Sequence, residues 1–355
     1  MKHIYKTVFL FLLLPTLIFA NSGLKGKYTK TKTIKKEFIV NADATVDLDN
    51  KYGSIDIQTW DQNKVTLEIV ITTKSNNESK AQNKLDDIHI EFENSNSYVS
   101  AKTKIGKSSG WSWNNNNNVN MDIQYIVRMP KNNDLVVDMD YGDVMLDVMN
   151  GKTEINLDYG KLIAGELLNT SNSINMDYSQ GSSIEYLKNG DINTDYSTIE
   201  IEKAGNIDLV ADYSTITINQ ANDISFNLDY GNLTINNVHS IEGNSDYTQL
   251  KFGKITDVLD VKGDYGGLRV DEMGADFSRV NIETQYIGVK IGVHNNSSFK
   301  FYGNTQYGEV KVPSNMNITN HLEKNSRTEI EGTYNGTRGE IKINTQYGSV
   351  KITEK

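Results

Sequence analysis

The residues of this chain that could do chemistry occur mainly in a short acidic motif that is repeated along the sequence. This motif is called the word below. Eight aspartates each precede a tyrosine, which is followed by glycine, serine or threonine: Asp140, Asp158, Asp177, Asp195, Asp212, Asp229, Asp246 and Asp264. Stacked copies of the word would place successive carboxylates about 5 Å apart. Ca²⁺ takes six to eight oxygen ligands, so carboxylates on neighbouring copies could supply part of a calcium site. The alternative is that each carboxylate accepts a hydrogen bond from the backbone N–H of its own corner or from a Ser/Thr hydroxyl, as in an Asx-turn.

The acidic word changes towards the end of the chain. Glutamine replaces aspartate at Gln285, Gln306 and Gln346, and a lysine stands four residues after each tyrosine, at Lys290, Lys311 and Lys351. The row of side chains therefore turns from acidic to neutral and basic. Such a gradient could favour head-to-tail contact between molecules, although drift among surface residues explains it more simply.

A pair of tryptophans in a polar segment is the second candidate site. Trp111 and Trp113 lie within GKSSGWSWNNNNNVN, residues 106–120, which has the composition of a low-complexity loop. Exposed aromatic faces stack on sugar rings or fill pockets of a partner protein. Trp111 and Trp113 are therefore partner-binding candidates, against the alternative that one of them packs back on the fold and anchors the loop.

No other pattern resembles a catalytic or metal centre. The chain has no cysteine, so disulfides and thiolate metal sites are excluded. Apart from His3 near the start of the chain, the four histidines, His89, His239, His294 and His321, are scattered without metal-ligand spacing. Two carboxylates at a suitable separation could hydrolyse a glycosidic bond, but the acids here recur in every copy of the repeat. We therefore predict no enzymatic activity and no cofactor other than the Ca²⁺ considered above.

The start of the chain and its charge indicate where the protein works. Residues 1–20 combine a short basic start with the apolar run TVFLFLLLPTLIFA, which is typical of a secretory signal peptide. No second long apolar stretch follows, and a lipoprotein anchor would need a cysteine. We therefore expect an exported protein without a transmembrane anchor, in the periplasm, at the cell surface or secreted. The net charge of −10 argues against nucleic acid as a partner.

The elements that must position these residues follow from the repeat itself. Successive tyrosines from Tyr141 to Tyr307 stand 17 to 21 residues apart, and a gap of 40 separates Tyr307 from Tyr347. Apolar residues alternate with polar ones around each tyrosine, which predicts strands with one buried face. A unit of this length cannot bury its own apolar face, so copies must stack. The sequence predicts an all-β, single-chain β-solenoid: a parallel β-helix, right-handed by the crossover rule, with coils of about 17–21 residues.

In this arrangement each tyrosine falls on the same side of the alternation as the buried apolar residues. The rings are therefore predicted to face inward and to stack along one corner. The gap of 40 residues is interpreted as two repeats, one of which has lost its word.

The chain is expected to divide into four parts. The signal peptide, residues 1–20, is followed by a flexible segment, residues 21–33. Residues 34–130 form a β-rich entry or cap region with a short helix near residues 77–88 and the Asn-rich loop. Residues 131–355 form the regular solenoid, in which residues 312–340 are a protruding loop or distorted coil.

Several of these words together resemble a known family. The segments Phe38–Val46, Asn50–Ile57 and Val65–Ile71, followed by the DYG, DYS and QYG series, are similar to the DUF4097 family of putative adhesins and more loosely to head-GIN-domain putative adhesins. The resemblance covers most of the chain after the signal peptide. It implies an exported β-helical protein and brings no catalytic residues.

Three functions remain open at this point. The first is a non-catalytic adhesin-like solenoid that presents loops to a glycan or protein partner at the cell envelope. The second is a structural envelope scaffold, and the third is a polysaccharide-active β-helix enzyme. The sequence leaves the oligomeric state open.

Overall fold

The computed structural model describes residues 25–106 and 119–355, and these form an almost entirely β structure. The predicted signal peptide, Trp111 and Trp113 lie outside the described residues. Within the described ranges there is a single α-helix, α1 (Glu78–Asp86), where the sequence predicted a short one. No helix in the described part of the chain is long and apolar enough to cross a membrane.

The centre of the molecule is a stack of parallel rungs, each named here by its corner tyrosine. The strands that build it are β7 (Asp134–Leu146), β8 (Thr153–Asp158), β9 (Lys161–Leu167), β10 (Asn172–Asp177), β11 (Ser182–Asp195), β12 (Thr198–Asp212), β13 (Thr215–Asp229), β14 (Asn232–Asp246), β15 (Gln249–Met273) and β16 (Arg279–Val293). Each rung pairs in parallel with the next, so that Asp195 lies opposite Asp212 and Asp212 opposite Asp229. The predicted β-solenoid is therefore confirmed, while its right-handed sense stays a prediction.

Alternation along each strand builds the core between rungs. In the Tyr213 rung, Leu209 and Ala211 face inward before the corner, and Ile216 and Ile218 face inward after it. Equivalent residues of the neighbouring rungs lie directly above and below, so the apolar interior is continuous along the stack. No single rung could bury these side chains alone, which is why the repeat must stack.

The N-terminal end of the stack is covered by six strands. They are β1 (Tyr28–Ile39), β2 (Thr45–Trp60), β3 (Lys64–Ser75), β4 (Ile88–Ser95), β5 (Tyr98–Ile105) and β6 (Asn120–Pro130). Of these, β1, β3 and β4 have antiparallel partners. Strand β2 is the first rung: it pairs in parallel with β7 on one side and with β5 and β6 on the other. Beyond it, β3 pairs antiparallel with β6 and β1 antiparallel with β3.

This pairing corrects one expectation. Residues 28–33, predicted to belong to a flexible segment, are held in β1 by a continuous register with β3. The polar, lysine-rich composition that suggested flexibility is instead that of an exposed edge strand, where charge discourages further strand pairing.

The C-terminal end contains a strand insertion that the sequence did not predict. Its strands are β17 (Phe299–Gln306), β18 (Val310–Lys311), β19 (Asn317–Lys324), β20 (Arg327–Tyr334), β21 (Gly339–Gln346) and β22 (Val350–Glu354). After β17 and β18, the chain forms an antiparallel hairpin of β19 and β20, and β20 covers β17. It then returns: β21 pairs in parallel with both β16 and β17, and β22 with both β16 and β18.

The last rung therefore lies between the two rungs that precede it in sequence. The gap of 40 residues between Tyr307 and Tyr347 does not contain a further rung without its tyrosine motif. The interpretation of this gap as two repeats was therefore wrong. Residues 312–340, expected as a loop or distorted coil, contain the β19–β20 hairpin that carries the chain back.

Candidate functional site

A single stack of tyrosine rings runs along one corner of the solenoid. Adjacent ring centroids are 4.6 to 5.2 Å apart and interplanar angles do not exceed 14°. We call this stack the tyrosine ladder; in spatial order it contains Tyr52, Tyr141, Tyr159, Tyr178, Tyr196, Tyr213, Tyr230, Tyr247, Tyr265, Tyr286, Tyr347 and Tyr307. The predicted stacking is confirmed, except that Tyr347 stands before Tyr307.

The rings point outward, whereas the sequence predicted them inside. From Tyr141 onward each ladder tyrosine is 43 to 57 % exposed. Ten of them, from Tyr159 onward, have φ of 51° to 60°, in the left-handed region. This conformation interrupts the alternation, so that Asp212 and Tyr213 both face solvent and the small residue Ser214 faces in. Counting alternate residues gives the wrong direction here, because side chains alternate between the two faces only where the backbone is extended at every residue.

Hydrogen bonds between rungs hold the corner in this shape. The N–H of Tyr196 donates to the carbonyl of Asp212 at 3.0 Å, and that of Tyr213 to Asp229 at 2.9 Å. Inside the corner, the N–H of Ser197 donates to Oγ of Ser214 at 3.1 Å. The backbone polar groups of the corner are therefore paired with the neighbouring rung, and the aromatic side chain is left at the surface.

The left-handed conformation has a cost that the ladder offsets. For a residue with a Cβ, this region costs about 1–2 kcal/mol. Stacking of an aromatic pair contributes about 0.5–1.5 kcal/mol, and the partial burial of each ring adds to this. Because these magnitudes are similar, the ladder holds rungs in register without a large net gain. Its most distinctive property is the surface that it presents.

That surface is a line of ring edges and phenol hydroxyls. Since each ring face is covered by its neighbours, only the edges and hydroxyls of the inner rings meet solvent. Among the described residues, no ladder hydroxyl bonds another side chain or the backbone, in contrast to the buried hydroxyl of Tyr125, which bonds Thr103 at 2.9 Å. The ladder therefore offers hydrogen-bonding groups on an aromatic support, repeated about every 4.8 Å.

The predicted aspartate ladder is present as a row beside the tyrosines. We call Asp140, Asp158, Asp177, Asp195, Asp212, Asp229, Asp246 and Asp264 the aspartate row; from Asp158 onward its members pair in register across neighbouring rungs. At its start, Nζ of Lys51 lies 2.8 Å from Asp140 and 3.5 Å from Asp49. In the described part of the chain, the other seven members have no ion-pair partner. The row is thus a line of like charges, neutralised only at one end.

The pKa values of three members of the row are raised, first by partial burial and then by the charges of neighbouring members. The pKa of Asp212 is raised above its ordinary value of 3.8 by partial burial and by the neighbouring charges of Asp195 and Asp229. Partial burial and the charges of Asp195 and Asp158 raise the pKa of Asp177 in the same way. The pKa of Asp158 is raised as well, by burial and Asp140, although Lys51 opposes the shift.

The structure does not show the carboxylates converging on a cation. Among the described residues, no group of three or more His, Asp or Glu side chains could hold a metal ion. The Asx-turn alternative is not general either: Asp246 accepts from the N–H of Asp264, on the next rung, at 3.1 Å. Calcium binding by the aspartate row stays a prediction, and the row resembles an extended charged surface more than a set of closed sites.

The glutamines and lysines of the last rungs also form rows. Gln346 lies between Gln285 and Gln306, and Lys351 lies between Lys290 and Lys311. The predicted change from acid to amide thus occupies three adjacent rungs, which the strand insertion brings together. The four histidines are exposed or partly exposed and lie apart: His239 bonds Asp223 at 3.1 Å, and His321 bonds Glu323 at 3.2 Å.

Comparisons with known proteins give fold likenesses at low identity. A putative adhesin from Parabacteroides distasonis is 13% identical, with a TM-score of 0.37, covering 71% of this chain and 95% of its own. One from Bacteroides fragilis is 15% identical, with a TM-score of 0.32, covering 74% of this chain and 97% of its own. A putative cell adhesion protein from Clostridium sporogenes is 12% identical, with a TM-score of 0.19, and the match covers 91% of this chain and 100% of that protein.

No protein-family model matches the chain, and no curated protein matches its sequence. Function is therefore inferred from this chain's own geometry.

Proposed function

We propose that this protein is a non-catalytic, adhesin-like β-solenoid that binds a glycan or protein partner at the cell envelope through its tyrosine ladder and aspartate row. The proposal includes export through the signal peptide and membership of the DUF4097 group, which the segments Asn50–Ile57 and Val65–Ile71 suggest.

The continuous exposed ladder is the observation that carries the proposal. A tyrosine offers about 150–250 Å² of surface, so eleven half-exposed rings present roughly 1,000 Å². The largest apolar patch on a typical monomer measures about 300–600 Å². One partner in a standard protein interface contributes about 800 Å². The ladder is therefore large enough to serve as a complete binding face.

The composition of the ladder also suits binding. Tyrosine loses little conformational entropy when it is covered, and it supplies both apolar area and a hydrogen-bonding hydroxyl. Stacking immobilises the rings before a partner arrives, which lowers the cost of ordering them on association. The neighbouring carboxylates add directional acceptors and select against anionic partners.

A binding experiment with ladder variants tests the proposal. Replacing Tyr178, Tyr196 and Tyr213 together by Asn removes three rings, while Asn tolerates the left-handed conformation. The full chain should bind a glycan array or isolated envelope fragments, and the triple Asn variant should bind at least tenfold more weakly. Tyr186→Asn is the matched control, since Tyr186 is a partly exposed tyrosine outside the ladder.

A second variant separates the ring from the hydroxyl. Replacing the same three tyrosines by Phe keeps the stack, so it should keep the fold and lose the hydrogen bonds to a partner. Unchanged binding by a folded triple Asn variant contradicts the proposal. Retention on envelope fragments through the end strands, with no dependence on the ladder, favours the scaffold alternative.

A further inference from the structure

A polar groove lies beside the tyrosine ladder where the aspartate row gives way to glutamine. It has a volume of about 630 Å³ and crosses five rungs, from that of Tyr247 to that of Tyr307. We call it the amide groove; residues that define it are Asn244, Asp264, Gln285, Asn344, Gln346 and Asn304. At about 4.8 Å per rung, its length is about 19 Å.

The strand insertion is what makes the groove continuous. Because β21 lies between β16 and β17, Gln346 and Asn344 fill the position between the rungs of Tyr286 and Tyr307. Without the inserted rung, the row of amides would be interrupted. The Asp-to-Gln change seen in the sequence thus occupies three adjacent rungs, which lie next to the Asp246 and Asp264 rungs in the same groove.

Three of the five amides that define the groove are available to a ligand. The side chains of Asn244, Gln285 and Gln346 make no hydrogen bond to any other residue that the structure describes. Other outward Asn residues are engaged: Asn175 donates to Asn156 at 2.8 Å on earlier rungs, and at the far end of the groove Asn304 donates to Asn344 at 3.4 Å and accepts from Arg327 at 2.9 Å. An amide carries donors as well as an acceptor, whereas an ionised aspartate only accepts. The groove therefore offers both kinds of hydrogen-bonding group, which a sugar hydroxyl requires.

The charge of the groove restricts the kind of glycan. Asp246, Asp264 and Glu283 are acidic, and the one lysine among its lining residues, Lys262, pairs with Glu283 at 3.7 Å. This balance disfavours polyanionic saccharides. Tyr265 and Tyr286 directly follow the lining residues Asp264 and Gln285 and are exposed, so a ligand that extends from the groove towards the ladder would meet their ring edges.

We propose that the amide groove binds an uncharged oligosaccharide that lies along the rod axis, one sugar unit to about one rung. This inference rests on the proposed binding function and deepens it, since it names the ligand class and a distinct place on the same surface. The aspartate and asparagine side chains orient the sugar hydroxyls, and the two glutamines supply donors that the rest of the row lacks.

Calorimetric titration of the full chain tests the inference, with cellopentaose and penta-N-acetylchitopentaose as uncharged probes and an oligogalacturonate of equal length as the anionic comparison. At least one uncharged probe should bind, and the oligogalacturonate should bind at least tenfold more weakly. The variant Gln285→Leu, Gln346→Leu should lose at least tenfold in affinity. Asn193→Leu changes an exposed amide in a rung outside the groove and should leave affinity unchanged.

A second variant guards against a folding artefact. Gln285→Glu, Gln346→Glu keeps polar side chains and removes the donors, so it should also weaken binding while its far-ultraviolet circular dichroism stays that of the full chain. The inference is overturned if neither uncharged probe binds, if the oligogalacturonate binds equally well, or if the folded groove variants bind like the full chain. Loss of envelope binding only in the tyrosine variants leaves the proposed function standing without this site.

Discussion

At the scale of single residues, the corner tyrosine joins an unfavourable backbone conformation to a favourable stack. Tyr213 has φ of 51° and lies 4.8 Å from the rings of both Tyr196 and Tyr230. Its neighbour Asp212 faces two like charges. Tyr213 therefore has a strained backbone and Asp212 has like-charged neighbours, and both belong to continuous rows on the surface. Substitution can test the energetic cost at each position.

The first prediction concerns the stack. Tyr213→Ala removes two ring contacts and keeps the left-handed conformation, so the free energy of unfolding should fall by about 1–3 kcal/mol. Tyr213→Phe keeps the ring and should change it by less than about 0.5 kcal/mol. Urea unfolding followed by circular dichroism measures both. Equal stability of the Ala variant and the full chain would show that the rings contribute nothing to the stack.

The second prediction concerns the pH dependence of the aspartate row. The pKa of Asp212 in the folded chain is raised above 3.8, so the folded state binds more protons than the unfolded one as pH falls towards that value. The free energy of unfolding therefore gains a favourable contribution on acidification, and loses it as pH rises through the folded pKa. Asp212→Asn should raise stability at neutral pH and reduce this gain.

The measurement is thermal unfolding between pH 4 and pH 7 at low and high salt. Salt screens exposed charges, so it should stabilise the full chain more than the Asp212→Asn variant. Asp43→Asn, at an exposed aspartate outside the row, serves as the control. If Asp212→Asn instead lowers stability at neutral pH, the carboxylate makes a favourable contact that outweighs the repulsion.

At the scale of elements, the decisive feature is the inserted last rung. Strands β21 and β22 each have a parallel partner on both sides, and they bury Ile341, Ile343, Val350 and Ile352. The rung therefore closes a gap between β16 and the β17–β18 rung. The hairpin of β19 and β20 is long enough to let the chain return.

The third prediction follows from this insertion. Removing residues 339–355 should destabilise the C-terminal end by several kcal/mol, since each fully buried aliphatic side chain contributes about 1.5–3 kcal/mol. A synthetic peptide of residues 339–355, added to the truncated chain, should occupy the vacated position and raise the unfolding midpoint. A scrambled peptide is the control. Truncation without loss of stability, or equal rescue by the scrambled peptide, would contradict the insertion.

The two ends of the stack are covered by strands that discourage further pairing. At one end β1 carries Lys30, Lys32, Lys35 and Lys36, and at the other β19 has all of its side chains exposed and includes Glu323 and Lys324. Charged edge strands oppose continuation of the sheet into another molecule. This argues against the head-to-tail association that the charge gradient suggested, and it is consistent with the proposed binding surface on the long side of the rod.

At the scale of the whole molecule, the stack makes one line of charge about 34 Å long out of eight single aspartates, at about 4.8 Å per rung. The fourth prediction is that Ca²⁺ raises the melting temperature of the full chain and that EDTA lowers it again. Asp177→Asn, Asp195→Asn should reduce the response. If neither addition shifts the melting temperature, the row does not bind calcium.

The fifth prediction concerns where the rod is presented. When the chain is produced from its own gene in intact cells, mass spectrometry should find a mature N-terminus close to Asn21, because Ala20 ends the apolar run. Protease added to intact cells should remove the protein if it is displayed at the surface. A protein that keeps residues 1–20 and stays in the cytoplasm would remove the envelope from the proposal.

The sequence by itself determined the repeat, the parallel stack and the side-by-side rows. Periodic Asp-Tyr words with alternating apolar residues permit one economical arrangement, in which each copy buries its neighbour. Asp212 opposite Asp229, the helix near residue 80 and the aromatic stack could all be predicted, because they depend on local pattern and on stacking alone.

Only the tertiary structure decided which way the tyrosines face and where the last rung lies. The outward direction of Tyr213 depends on a left-handed backbone that inter-rung hydrogen bonds stabilise, and a pattern of residue types does not contain those bonds. The place of Tyr347 between Tyr286 and Tyr307 depends on which exposed edges are available once the hairpin has folded back. Both the exposed tyrosine ladder and the amide groove follow from these two facts, because a surface is made by rungs that are neighbours in space and not by those that are neighbours in sequence.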